Sequence, residues 1–270
     1  MQNNINVFAK FAHSKAEMLK QSPWSFFIGS MLAGAYVGIG IIFIFTVASP
    51  LPSEVQALVL GATFAIALTL VVIAGAELFT GYAMYMTIGL SKKTVNTQQL
   101  LSTWVVSWLG NFCGAIVLVG VYILAKGYLF SHEDLIASVA LKKVSATPIQ
   151  LIAKGALCNW LVCLAIWMSK KVDSDVARLV VIFWCLFVFI ASGFEHSVAN
   201  MTLLSVVYFS PAGIIGLSDI TYNLTFVTLG NIIGGAVFVG MAYKAYAAET
   251  PPVQTSPKQT LPTPENTPKI

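Results

Sequence analysis

Two apolar stretches of this chain are too long for any single membrane-crossing helix. Apolar runs lie at about 24–49, 55–90, 101–130, 149–168, 179–209 and 222–246, and the second and fifth exceed 30 residues. A bilayer core is crossed by about 20 helical residues, so a longer run must tilt, project beyond the membrane or break. Both carry a polar interruption in a matching place: Gly75-Ala76-Glu77-Leu78-Phe79-Thr80-Gly81 in the second, and Ser192-Gly193-Phe194-Glu195-His196-Ser197-Val198-Ala199-Asn200 in the fifth. The pattern predicts an all-α membrane protein of six transmembrane helices, with the second and fifth broken.

Composition agrees with that class. Hydrophobic residues make up 57% of the chain and charged residues only 10%, against about 25% in soluble domains. The net charge of +4 does not point to nucleic acid, because the basic residues stand singly or in pairs between apolar runs. Their distribution reports topology instead. The N-terminal stretch, the second and fourth loops and the tail hold eleven lysines and arginines, and the opposite side holds Lys126, Lys142 and Lys143. Positive charge accumulates in the cytoplasm, so both termini are expected there. Residues 5–20 have an amphipathic pattern suited to the cytoplasmic face. The last 22 residues, 249–270, contain six prolines and five threonines and are expected to form a disordered cytoplasmic tail beyond a channel domain at 1–248.

The halves of that domain, about 24–130 and 149–247, resemble each other. Leu109-Gly110-Asn111 returns as Leu229-Gly230-Asn231, each followed by a glycine three residues on, and Glu77 and Glu195 keep nearly the same offset. Three spans per half is an odd number, so a duplicated half must insert upside down, giving an inverted 3+3 repeat.

Charged groups inside a span need a reason, because each costs a few kcal/mol to insert. Glu77 and Glu195 read as structural, accepting hydrogen bonds from backbone N–H groups freed at the breaks. Lys154, near the start of the fourth span, is either a side chain snorkelling to the outer interface or a positive charge in an anion vestibule. His196 is the only histidine within a span, at a break where a half-helix can start at Ser197. A second half-helix is expected near Gly81, with the Thr80 hydroxyl beside it. Two helix N-termini, a hydroxyl, an imidazole and a nearby lysine suit a small anion and suit a cation poorly.

Other chemistries find no support. Cys113, Cys158, Cys163 and Cys185 form no Cys-x-x-Cys, one membrane histidine cannot bracket a haem iron, and no nucleotide-binding Gly-Lys-Ser/Thr loop is present. No metal site, cofactor or enzymatic activity is expected.

The two break motifs, the run 154–168 beginning Lys154-Gly155-Ala156-Leu157-Cys158-Asn159, and both Leu-Gly-Asn motifs resemble the formate/nitrite transporter family over about residues 9–246. The resemblance implies an aquaporin-like fold, a homopentamer with one pore per protomer, a bacterial inner-membrane location and a small monovalent anion as substrate. Nitrite is the expected ion; formate, lactate or hydrosulfide are the alternatives within the class, and a non-conducting membrane scaffold the alternative outside it. By motif, His196 matches the family's central histidine, Thr80 the threonine that bonds it, and Asn159 a polar residue of the fourth span. Phe79 and Val162 would form the outer apolar constriction, and Phe64, Leu68 and Phe189 the inner one. Asn111, Asn200, Asn231 and Gly81 would support the breaks. Tyr82 departs from relatives that carry asparagine or histidine there. The mechanism expected is proton-linked, the anion gaining its proton through His196; plain anion conduction is the rival.

Overall fold

The computed structural model describes residues 2–126, 133–210 and 213–249. The tail expected at 249–270 lies outside them, except for Glu249. Among the described residues every regular element is helical: α1 (Gln2–Gln21), α2 (Pro23–Ala48), α3 (Ser53–Thr63), α4 (Ala65–Thr69), a π-helical stretch (Leu70–Gly75), α5 (Phe79–Ser91), α6 (Thr97–Lys126), α7 (Glu133–Val144), α8 (Pro148–Ser169), α9 (Asp175–Ala191), α10 (Ser197–Tyr208), α11 (Leu217–Ile233), a second π-helical stretch (Gly234–Met241) and α12 (Ala242–Glu249). Five helical stretches are long and apolar enough to cross a bilayer, at Pro23–Ala48, Ser53–Gly75, Thr97–Ala125, Pro148–Ser169 and Leu217–Ala247. The fifth apolar run is divided instead into α9 and α10, of 17 and 12 residues.

Both breaks occur where the sequence places them, and for the same local reason. Gly75 and Gly193 adopt positive φ, 82° and 67°, a region that side chains disfavour. Each ends its helix with a six-to-one hydrogen bond: Ala76 N–H donates to Val71 O at 3.0 Å, and Phe194 N–H to Phe189 O at 3.0 Å. The chain then runs extended through Ala76 and Leu78, or through His196, before a new helix starts. The first restart is Phe79, two residues before Gly81. Gly81 therefore lies inside α5, past the break that it is expected to support.

Helix α2 packs closely along α6, and α8 along α11. Both crossings bring backbones together: a Cβ on Gly34 would lie 1.9 Å from Asn111 O, and one on Gly230 2.3 Å from Ile152 O. The half-helices α5 and α10 fill the space between these pairs, and nearly every residue of α10 is buried. Helix α1 does more than rest on a surface. It buries Ile5, Phe8, Ala9, Ala12 and Ala16, and Phe8 stacks against both Tyr85 and Trp167.

Candidate functional site

The two asparagines of the repeated Leu-Gly-Asn motif do the same work at the two breaks. Asn111 Oδ1 accepts from Phe79 N–H at 2.9 Å, while its Nδ2 donates to Ser30 O and Glu77 O. Asn231 Oδ1 accepts from Ser197 N–H at 2.8 Å, while its Nδ2 donates to Gly155 O and Glu195 O. Each thus supplies an acceptor to the first N–H of a half-helix and donors to two carbonyls, one at the break itself (Glu77 or Glu195) and one inside a neighbouring helix. The break backbone is tied further by Glu77 N–H to Gly29 O and Glu195 N–H to Lys154 O.

That arrangement corrects the expectation for the two carboxylates. Their oxygens hold side chains and not freed backbone N–H groups, because the asparagines have already taken those. Glu77 accepts from Lys15 Nζ at 2.5 Å and from the Tyr82 hydroxyl. Glu195 accepts from Lys143 Nζ at 2.8 Å and from Asn200 Nδ2 at 2.7 Å. Asn200 also donates to Asn223, whose own amide donates to Lys143 O. A buried carboxylate requires such a cation.

Thr80 and His196 meet between the breaks, with Oγ1 and Nε2 3.2 Å apart and both side chains buried. His196 Nδ1 caps α10 by accepting from Ala199 N–H at 3.1 Å. A neutral ring then carries its proton on Nε2 and donates it to Thr80 Oγ1. Asn159 is fully buried behind this pair; its amide donates to Thr80 O and Asn231 O, joining one half to the other.

One cavity reaches His196 itself, and a second, on the opposite side, comes as close as Leu78 and Gly81, which flank Phe79 and Thr80 in the chain. The first, of about 360 Å³, is lined by Lys142, Lys143, Lys154, Glu195 and His196; we call it the α7-side cavity. The other, of about 440 Å³, is lined by Lys15, Glu77, Leu78, Gly81, Lys170 and Arg178; this is the α1-side cavity. Lys154 is exposed and lines the former. Each cavity is bordered by three cationic side chains and one carboxylate.

Residues 5–245 match the family model described as formate/nitrite transporter. The chain belongs to the formate/nitrite transporter family. It is 45% identical over 243 residues to the nitrite transporter NirC of Escherichia coli (strain K12), covering 89% of this chain and 90% of that one. A solved structure described as an FNT family ion channel superposes with TM-score 0.89 at 45% identity, over 93% of this chain and all of the other. A pentameric formate channel with formate bound superposes with TM-score 0.74 at 30% identity, over 85% of this chain and 99% of that one.

In this formate/nitrite transporter family member the aromatic constrictions stand differently from expectation. Phe189 lines the α7-side cavity, stacks over His196 with centroids 6.0 Å apart, and meets Phe64 edge-on at 5.7 Å. These two rings therefore stand at the Lys154 side, where the family resemblance puts Phe79 and Val162. Val162 lies two turns beyond Lys154 on α8, approaching Ile166 and Ser169 of the α1-side cavity, and Leu68 lies one turn short of Val71 of that cavity. Phe79 lines neither cavity; it lines a separate apolar one between α6 and α11, with Trp104, Trp108 and Leu224. Direction is the reason. Helix α9 runs from Arg178 at the α1-side cavity to Gly193 at the other, so residues near its end belong to the α7 side; apolar spacing gives a helix face but not its depth.

The steric role of Gly81 also differs. A Cβ there would press on Ile166 at 3.2 Å and on the Tyr85 ring at 3.3 Å. Lys15, Lys143, Tyr85 and Asn223 were not legible as site residues. Two carboxylates inside apolar spans did signal that two cations were needed, but those lie 62 and 52 residues away in sequence.

Proposed function

We propose that this chain carries nitrite across a bacterial inner membrane, through one pore in each protomer of a homopentamer. The observation that carries the reading is the meeting of two half-helix N-termini at Thr80 and His196, between two cavities bordered mainly by lysine and arginine. Helix N-termini and donor side chains favour an anion there, and the cationic mouths raise its local concentration. Similarity to NirC favours nitrite. The similarity to a pentameric formate channel supports the assembly and keeps formate as the alternative substrate.

We infer six crossings within one channel domain at 1–248, the fifth made by α9 and α10 together, and an inverted relation between 24–130 and 149–247. Matching asparagine hydrogen bonds support the repeat. So does direction: the second run goes from Leu60 at the α7-side cavity to Gly75 at the α1 side, whereas α9 goes the opposite way. The charge count supports a cytoplasmic α1 side, with both termini there.

A bare anion entering the apolar constrictions loses its hydration, so crossing with a proton lowers the cost. In this mechanism His196 supplies or stabilises that proton, and Lys154 draws the anion in. A second reading has a specific observation in its favour. An imidazolium has no lone pair for Ala199 N–H, so a second proton on His196 would release the cap of α10. Under that reading His196 remains a hydrogen-bond donor and the anion crosses alone. Purified protein in liposomes, offered nitrite, formate and chloride separately with potential monitored, tests both. Nitrite uptake without net charge movement is expected; charge-carrying uptake selects the second reading, and no flux of any ion would leave a scaffold.

A further inference from the structure

The α1-side cavity contains a donor that no other part of the site uses. Tyr85 lines it, four residues after Gly81 on the same face of α5, so its side chain leans back toward the start of the half-helix. Its hydroxyl comes within 3.4 Å of where a Cβ on Gly81 would stand, so a side chain there would press the ring by a few tenths of an ångström. Phe8 stacks on the ring at 5.4 Å and Phe11 meets it edge-on at 4.9 Å, both from α1. The ring is held on several sides, yet among the described residues the hydroxyl has no hydrogen-bond partner.

The surroundings define what that hydroxyl can bind. Glu77, the carboxylate of this cavity, accepts from Lys15 and from the neighbouring Tyr82 hydroxyl, and Tyr85 does not bond to it. Arg178 is held by Asp175 and by Ser169 O, and Lys170 is exposed at the same mouth. A held donor beneath a cationic mouth, one turn from Thr80, suits a small monovalent anion that accepts a hydrogen bond.

We propose that the α1-side cavity holds a second binding station for the permeating anion, with the Tyr85 hydroxyl as its donor. The station rests on the transport reading above. It is occupied before the anion reaches Thr80 and His196 from this side, and on leaving toward it. Tyr85 is thereby the α1-side counterpart of the donors that face the other cavity.

Tyr85→Phe removes the hydroxyl and keeps the ring between Phe8 and Phe11. In vesicles of known orientation, the nitrite concentration giving half-maximal uptake from the α1 side should rise about tenfold, as expected for losing a hydrogen bond to a charged ligand. Uptake from the α7 side should keep its half-saturation. Gly81→Ala, whose Cβ would press on the ring at 3.3 Å, should move the α1-side value in the same direction by less. Equal half-saturation in parent and Tyr85→Phe from the α1 side would overturn the station and leave the transport reading intact. Crystals of the parent soaked in nitrite separate the two further. Anion density at the Tyr85 hydroxyl in a protein that carries no nitrite would overturn transport, and with it the station's place on a path, and leave an anion-binding site only.

Discussion

The two helix breaks share one scaffold and divide the chemistry between them. Each has a positive-φ glycine, a carboxylate two residues later and an asparagine from a neighbouring helix closing the backbone. Tyr82 and Asn200 even stand at the same offset from Glu77 and Glu195, and both donate to them. What differs is the side chains that follow the carboxylate. One residue after the carboxylate, the first break has Leu78 and the second His196; three residues after it, the first has Thr80 and the second Val198. Each half thus contributes one polar group and one apolar group, and the polar pair exists only because the halves meet. The cation partners differ in origin too, Lys15 coming from the helix before the first span and Lys143 from the short helix between halves.

The comparison is most severely tested at its shared element. Asn111→Leu and Asn231→Leu each remove three hydrogen bonds and strand a buried N–H and the carbonyl of Glu77 or Glu195, a loss of about 3 kcal/mol. Both should sharply reduce folded protein in detergent by size-exclusion yield and thermal unfolding. If one is tolerated, the two breaks are not equivalent.

Next in size are the carboxylates. Glu195 is the more enclosed, its side chain 4% exposed against 11% for Glu77. Glu195→Gln should cost about 2 kcal/mol, below the 3–5 of a fully enclosed pair because the lysine it abandons can reach cavity water. Glu77→Gln should cost less, and thermal unfolding of the two variants gives the order. A reversed order would mean that α1 depends on its lysine more than the second half does on Lys143.

The divided polar pair predicts changes in transport with little change in stability. Under the proton-linked mechanism His196→Asn should lose most electroneutral nitrite uptake, roughly tenfold or more at saturating nitrite given the usual contribution of proton transfer. Thr80→Val removes the partner hydroxyl and should lower uptake less. Uptake by His196→Asn that stays electroneutral and undiminished, after subtraction of protein-free liposomes, would rule out a relay at this residue. The smallest effect is expected at the mouth. Lys154→Ala should weaken apparent nitrite affinity from the α7 side a few-fold and leave the maximal rate nearly unchanged, because Lys142 and Lys143 remain. Unaltered affinity would return Lys154 to the snorkelling role.

The sequence by itself determined the helical membrane class, the positions of both breaks and the restart at Ser197, because those depend on local facts: run length, glycine, and polar residues inside apolar stretches. It also paired Thr80 with His196, but through resemblance to a family and not through spacing. Tertiary structure alone decided which lysine meets which carboxylate, since partners 62 and 52 residues apart leave no local trace. It likewise decided on which side of His196 each aromatic ring stands, and that Gly81 makes room for Tyr85. Hydropathy records that a residue is buried. Depth, handedness of the crossing and the identity of a neighbour arise only when helices running in opposite directions are packed against one another.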